Sequence, residues 1–357
     1  MRIAQVAPLY ESVPPKLYGG TERVVSYLTE ALVHEGHEVT LFASGDSRTS
    51  ARLVPCCPKA LRLNNHQCRD QLAHHFALLD EVMERVEQFD IIHFHVDYLH
   101  FPLSKLSGFA QVSTLHGRLD SPDLIPVFQR YKTMPLISIS HNQREPLSWA
   151  NWVGNVYHGL PEDLLPLGNG KGKYLAFLGR ISPEKRVDRA IEIARRSGMP
   201  LKIAAKVDAA DRLYYKREIK PLLSSPGIEF VGEINEQQKA DFLGNALAYL
   251  FPIDWPEPFG LTMIESMACG TPTIAFRRGS VPELIADKVT GFIVDTVDEA
   301  VHAVEQAATI DRARCRAAFE RRFNATRMSR DYVKLYESIA TGKPIAPETE
   351  IDTLLTL

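Results

Sequence analysis

No GxGxxG follows any apolar run in this chain of 357 residues, so the phosphate-binding turn of a nicotinamide dehydrogenase is missing. There is no DxD pair of aspartates at the end of a strand-like run either, the arrangement a magnesium-bridged phosphate donor normally requires. No apolar stretch approaches the roughly 18 residues of a membrane span, and the opening MRIAQVAPLY reads as a buried strand, not a signal peptide. The expected location is the cytoplasm. A basic excess is also lacking: the formal charge is -3, which argues against nucleic acid as a partner. Cysteine is scarce, five residues with no CxxC, which fits reduced thiols better than a disulfide framework. Cys56, Cys57, His66 and Cys68 lie close in sequence, yet their spacing matches no common zinc pattern. The expectation is therefore no metal and no cofactor.

What is present is ample apolar content, 45%, enough for two domains with separate cores. Short apolar runs alternate with segments of helical period, as in strand-helix-strand units on a parallel sheet. RIAQVAP, HEVTLFA, DIIHFH, QVSTLH, PLISIS and VGNVYH read as strands, and a helix capped by Thr21 carries Val24, Val25, Leu28, Ala31 and Leu32 on one face. The segment GLPEDLLPLGNGKGK breaks every periodicity and reads as a linker. After it the alternation restarts with YLAFLGR, LKIAAK, IEFVGE and ALAYLFP as strands. The expected organisation is α/β, with domains over 1–165 and 166–325 and a helical tail over 326–357. Two doubly wound sheets of this kind bind ligands at the carboxyl ends of their strands.

The loops at those ends carry the chemistry. After ALAYLFP comes EPFGLTMIESMACGTP, with Glu257 before a helix start and Glu265 about one turn inside it. The amides of Phe259, Gly260 and Leu261 are orphan donors there and suit an anion such as phosphate. Carboxylates near a helix start are ordinary by themselves, since the helix dipole favours them. They do not stand alone, because LGRISPEKRVD offers Arg180 and Lys185 at another helix start, two cations suited to a diphosphate. YGGTERVV adds Gly19 and Gly20 at a third, where missing side chains let backbone approach a ligand.

These residues, in this order, resemble glycosyltransferase family 4, the retaining, metal-independent nucleotide-sugar transferases of the GT-B fold, in which two Rossmann-like domains face each other across a cleft. The most specific element is the Glu-x7-Glu pair Glu257 and Glu265, followed by GSVPELI and TGFIV. The resemblance implies an N-terminal acceptor domain and a C-terminal donor domain. Glu257 would hold donor-sugar hydroxyls, Glu265 the ribose hydroxyls, and Phe259, Gly260 and Leu261 the sugar or phosphate. Arg180 and Lys185 would neutralise the diphosphate, with Gly19 and Gly20 closing over it, and His116 in TLHG matches a histidine beside the reacting sugar. His93 and His95 are weaker candidates, one of them expected to be scaffold. FPIDWPEP departs from the family's more usual Pro-Ser or Pro-Thr before the first Glu, so Asp254 and Trp255 are expected to shape the sugar pocket.

The implied reaction moves a hexosyl unit from a UDP- or GDP-sugar to an acceptor hydroxyl, with His116, Arg180, Lys185 and Glu257 as the catalytic set. The acceptor would be a carbohydrate, a small molecule or a lipid-linked group, the last bringing the first domain to a membrane surface. The arginines between Ser44 and Gln71 are the expected contact. Two other functions fit the same scaffold, a nucleotide-sugar epimerase and an inactive partner subunit that only grips the ligand.

Overall fold

A computed structural model describes residues 1–16, 19–63 and 68–342. Among them are two parallel sheets, each in its own compact unit. The first sheet has the strands β1 (Arg2–Val6), β2 (Glu38–Ser44), β3 (Arg52–Cys57), β4 (Ile91–Phe94), β5 (Gln111–Thr114), β6 (Leu136–Ser138) and β7 (Trp152–Asn155), in the order β3-β2-β1-β4-β5-β6-β7. The second has β8 (Leu175–Arg180), β9 (Leu201–Lys206), β10 (Ile228–Gly232), β11 (Ala248–Phe251), β12 (Thr273–Phe276) and β13 (Gly291–Val294), in the order β10-β9-β8-β11-β12-β13. Both sequences reverse direction between the first and fourth strands, the arrangement of a doubly wound sheet. The central strands β4, β5, β11 and β12 are buried at every residue. That is why IIHF and AYLF, on β4 and β11, show a largely apolar run without alternation.

The first unit is Met1–Pro161 together with the closing helix Ala325–Thr341. That helix was expected to stand apart after the second sheet; it belongs to the first unit. Tyr332 and Tyr336 are fully buried on it, and Arg327 donates to the carbonyls of Tyr157 at 2.6 Å and His158 at 3.1 Å. On β7, Gly154 leaves no room for a side chain, since a Cβ there would meet the Leu335 side chain at 2.7 Å.

The second unit begins at Glu162. The stretch read as a linker is packed, with Leu165 fully buried. Gly168 N donates to Cys269 O at 3.0 Å, Gly170 N to Gly244 O at 3.0 Å and Gly172 N to Asn245 O at 2.8 Å. Its glycines mark close backbone approach, not mobility. Arg312 and Arg316 donate to the carbonyls of Gly244, Ala246, Ala268 and Cys269, satisfying helix ends that have no internal partner.

Candidate active site

The reversal of strand order in the second sheet lies between β8 and β11, and the loops leaving these two strands build the site. The β8 loop passes Arg180, makes one tight turn over Pro183–Lys185 and enters the helix Val187–Ser197. The β11 loop runs to Gly260 and enters the helix Leu261–Ala268. Asp254 N donates to Glu184 O at 2.9 Å and joins the two loops. Tyr249 on β11 pins the base of the site, meeting Leu178 O at 3.1 Å and Thr262 Oγ1 at 2.7 Å.

Lys185 and Glu257 meet across these loops as an ion pair. Trp255 Nε1 donates to the same Glu257 oxygen at 3.0 Å, and the Lys185 ammonium lies 5.1 Å from the centre of the Trp255 ring. The lysine is thus held by a carboxylate and an aromatic face together. Glu257 is fixed from below, its carbonyl accepting from Ser280 N at 3.0 Å. Ser280 Oγ donates to Phe259 O at 2.6 Å, so the GSVPELI segment serves as the floor of the Glu257 loop.

Arg180 is less free than a cation awaiting a diphosphate. It pairs with Glu184 and lies 3.7 Å from both Asp208 and Asp211, while Lys206 reaches Asp208 at 3.1 Å. Both expected cations are therefore shared with carboxylates that lie far from them in sequence or on the next turn. Asp254, expected to shape a sugar pocket, sits within 3.1 to 3.6 Å of Arg186, Arg189 and Arg278. Three guanidiniums make it a structural knot; Trp255 is the neighbour that touches the site.

Glu265 is 2% exposed. Its Oε1 accepts from Lys239 Nζ at 2.7 Å, and its Oε2 has no partner among the described residues. A buried carboxylate oxygen left unmatched is costly. Lys239 was not singled out from sequence, and nothing in EQQKADFLGN marks it. The two glutamates of the motif are separately held, Glu257 by Lys185 and Trp255 and Glu265 by Lys239.

Gly260 caps the helix Leu261–Ala268 at φ 84, and a Cβ there would lie 2.7 Å from Met263 Cε and 3.1 Å from Phe251 Cζ. Gly260→Ala is expected to destabilise the chain by about 1 to 3 kcal/mol through backbone strain. Urea unfolding would read this as a lower midpoint at unchanged slope; an unmoved midpoint would mean that the loop adapts freely.

The remaining candidates are on the first unit. Gly19 precedes the helix Gly20–His34 at φ 156, and a Cβ would lie 2.8 Å from Pro15 Cβ, so the cap is sterically a glycine position. His116 follows β5 and its Nε2 meets His95 Nδ1 at 2.8 Å. Burial pushes the His116 imidazole down to about 3, so it is neutral near pH 7. His93 and His95 are both buried and held below the ordinary histidine range by desolvation. Cys56 and Cys57 are thiols that burial pushes up to about 12 and 11; His66, grouped with them in sequence, lies outside the described residues. Among the described residues no helix is long and apolar enough to cross a membrane.

Two loop-built helix starts, a lysine-glutamate pair and a half-satisfied buried carboxylate thus come together at the switch point of a doubly wound sheet, where sheets of this kind take their ligands. The model of Glycosyltransferase Family 4 matches residues 18–153 and that of Glycosyl transferases group 1 matches residues 166–321, together most of the chain. The chain belongs to these glycosyltransferases and is a glycosyltransferase. It is 25% identical to an uncharacterized glycosyltransferase of Methanocaldococcus jannaschii, over 82% of this chain and 85% of that one. It is 24% identical to the phosphatidyl-myo-inositol mannosyltransferase of Mycolicibacterium smegmatis, over 95% and 94%. Several D-inositol 3-phosphate glycosyltransferases are matched over only 32 to 37% of their own length. Among solved structures, Anabaena HepE in complex with UDP and glucose superposes with a TM-score of 0.74 at 16% identity, over 95% of this chain and 100% of that one. The fold is GT-B.

Proposed function

We propose that this glycosyltransferase moves a hexosyl unit from a nucleotide-diphosphate sugar to an acceptor hydroxyl, with retention of anomeric configuration and without a divalent metal. The observation that carries this reading is the Lys185–Glu257 pair beside the start of the helix Leu261–Ala268. In this role Lys185 exchanges Glu257 for a phosphate oxygen, and Glu257 turns to hydroxyls of the sugar. Arg180 makes the same exchange with Glu184 and its aspartate neighbours. The amides of Phe259, Gly260 and Leu261 receive the sugar or phosphate, and the open oxygen of Glu265 accepts a ribose hydroxyl. Gly19 and Gly20 are assigned to the diphosphate and His116 to the transferred sugar.

Negative charge grows on the leaving diphosphate while the sugar becomes oxocarbenium-like, so donors fixed on the diphosphate act where the transition state differs most from the substrate. A diphosphate oxygen would take the acceptor proton on the face that the leaving group vacates, so no pair of acids flanking the bond is required. The uridine donor with glucose is the first to test, on the likeness to a fold solved with those two ligands. The acceptor is assigned to the first unit, near Arg48, Arg52 and Arg62.

Turnover of UDP-glucose or a GDP-sugar to free nucleotide diphosphate, with and without acceptor mixtures, tests the activity. Turnover in excess EDTA is expected to match turnover in magnesium. Abolition by EDTA with recovery on adding magnesium would overturn the metal-independent account.

A further inference from the structure

The first unit encloses a chain of polar side chains that has no role in the transfer as assigned so far. His93 Nδ1 meets the Tyr336 hydroxyl at 2.6 Å, and His93 Nε2 meets Thr114 Oγ1 at 2.7 Å, which in turn lies 3.0 Å from the Tyr332 hydroxyl. Gln5 on β1 donates from Nε2 to the Tyr336 oxygen at 3.1 Å and presents Oε1 to His95 Nε2 at 2.8 Å. His95 Nδ1 then faces His116 Nε2 at 2.8 Å. Gln5, His93, Thr114, Tyr332 and Tyr336 are fully buried, and His95 is 3% exposed.

The direction of this relay follows from what each atom can do. A neutral imidazole has one N–H and one bare nitrogen, whereas an amide oxygen can only accept. His95 Nε2, facing Gln5 Oε1, therefore carries the proton, and its Nδ1 is bare. His116 Nε2 must then be the donor between the two rings, which leaves His116 Nδ1 bare. That nitrogen is sealed from solvent and has no partner among the described residues. Such an atom is matched by a ligand hydroxyl and mismatched by another acceptor.

We propose that Gln5, His95 and Tyr336 are positioning residues that select the Nε2–H tautomer of His116, so that Nδ1 accepts a hydrogen bond from a hydroxyl of the transferred sugar. This rests on the assignment of His116 to that sugar. It also gives the closing helix a function: the Tyr336 hydroxyl, 331 positions from Gln5, with its own proton directed to His93 Nδ1, accepts from the amide whose orientation sets the polarity of the relay. If the Gln5 amide were reversed, every proton in the chain would move to the other nitrogen and His116 would offer an N–H instead.

Long-range nitrogen–proton spectra of the full-length, histidine-labelled protein read the tautomers directly. The wild type is expected to show His116 as Nε2–H, and Gln5→Leu to show both tautomers. UDP release from UDP-glucose should fall about tenfold or more in Gln5→Leu and His95→Ala, through misplacement of a substrate contact. UDP affinity should stay within about twofold, because these residues do not touch the nucleotide in this reading. His95→Asn keeps an acceptor near the Nδ1 position and should recover most of the rate. His116 found as Nδ1–H in the wild type, or unmoved in Gln5→Leu, would overturn the proposal whether or not the variants fold well. Wild-type turnover in His116→Ala would instead remove the sugar contact, with the tautomer still decided by the spectra.

Discussion

Arg180→Ala is expected to lower kcat/KM more than Lys185→Ala does, and the double variant to lose about 3 to 6 kcal/mol of leaving-group stabilisation if the two contributions add. That corresponds to roughly a hundredfold to ten-thousandfold in rate. Each single loss removes one charge-assisted contact to the diphosphate, worth about 1.5 to 3 kcal/mol. The surroundings separate the two. Without Lys185, Glu257 keeps the Trp255 indole N–H as a donor and is left as a single carboxylate. Without Arg180, Glu184, Asp208 and Asp211 lose their shared guanidinium, and Lys206 is the cation left within reach of Asp208. Three carboxylates would then face the incoming diphosphate, so loss of attraction is compounded by repulsion. Raising the ionic strength should recover part of the Arg180→Ala defect, since exposed charges are screened, and little of the Lys185→Ala defect. Steady-state kinetics on UDP-glucose at two salt concentrations would decide it. Equal defects with equal salt response would mean that the carboxylate cluster does not sense the donor.

Much of this architecture could be read from local pattern, and the exceptions share a physical cause. The strands found from sequence, such as IIHF and AYLF, are buried on both faces, and continuous apolar runs report that directly. β3 was hidden by Pro55, which reads against a strand; the strand lies at the sheet edge, where a missing N–H costs nothing. β12 and β13 go unread because TIAF and GFIV sit between Gly-, Pro- and charge-containing stretches, CGTP, RRGS and KVTG, that signal loop. The glycines after residue 167 carry a real signal of backbone crowding, but the same residues signal a flexible linker equally well. The closing helix has Tyr332 and Tyr336 one turn apart on an apolar face, and no local feature says which core receives them.

The site divides the same way. Glu257, Glu265, Arg180, Lys185 and His116 stand at strand ends or helix starts, positions that sequence order can locate. Their partners do not. Lys185 reaches a glutamate 72 positions away, and His95 reaches Gln5 across 90. Lys239 is an unremarkable helix lysine until the fold brings it against Glu265. Charges could be counted from the sequence, whereas their compensation could not, and this is why Arg180 and Lys185 read as open cations before the structure placed carboxylates around them.

Glu265 gives the second large effect, with two separable losses expected from one substitution. Glu265→Ala removes the carboxylate nearest Lys239 Nζ, at 2.7 Å, leaving Glu236 at 3.4 Å and a partly buried ammonium weakly matched. Breaking a buried pair from one side typically destabilises a protein by about 3 to 5 kcal/mol; the 12% exposure of Lys239 places the expected loss at or below the lower end of that range. The same substitution removes the open Oε2, and nucleotide affinity should fall about tenfold to a hundredfold if that oxygen accepts a ribose hydroxyl. Glu265→Gln separates the terms. It keeps an oxygen for Lys239 and replaces the other by an amide donor, so stability should largely return while the ribose hydroxyl loses its acceptor. Calorimetry with UDP and with uracil, which lacks the ribose, completes the test. The defect should appear for UDP in both variants and be absent for uracil. If Glu265→Gln binds UDP like the wild type while Glu265→Ala does not, the carboxylate serves Lys239 alone and the ribose assignment fails.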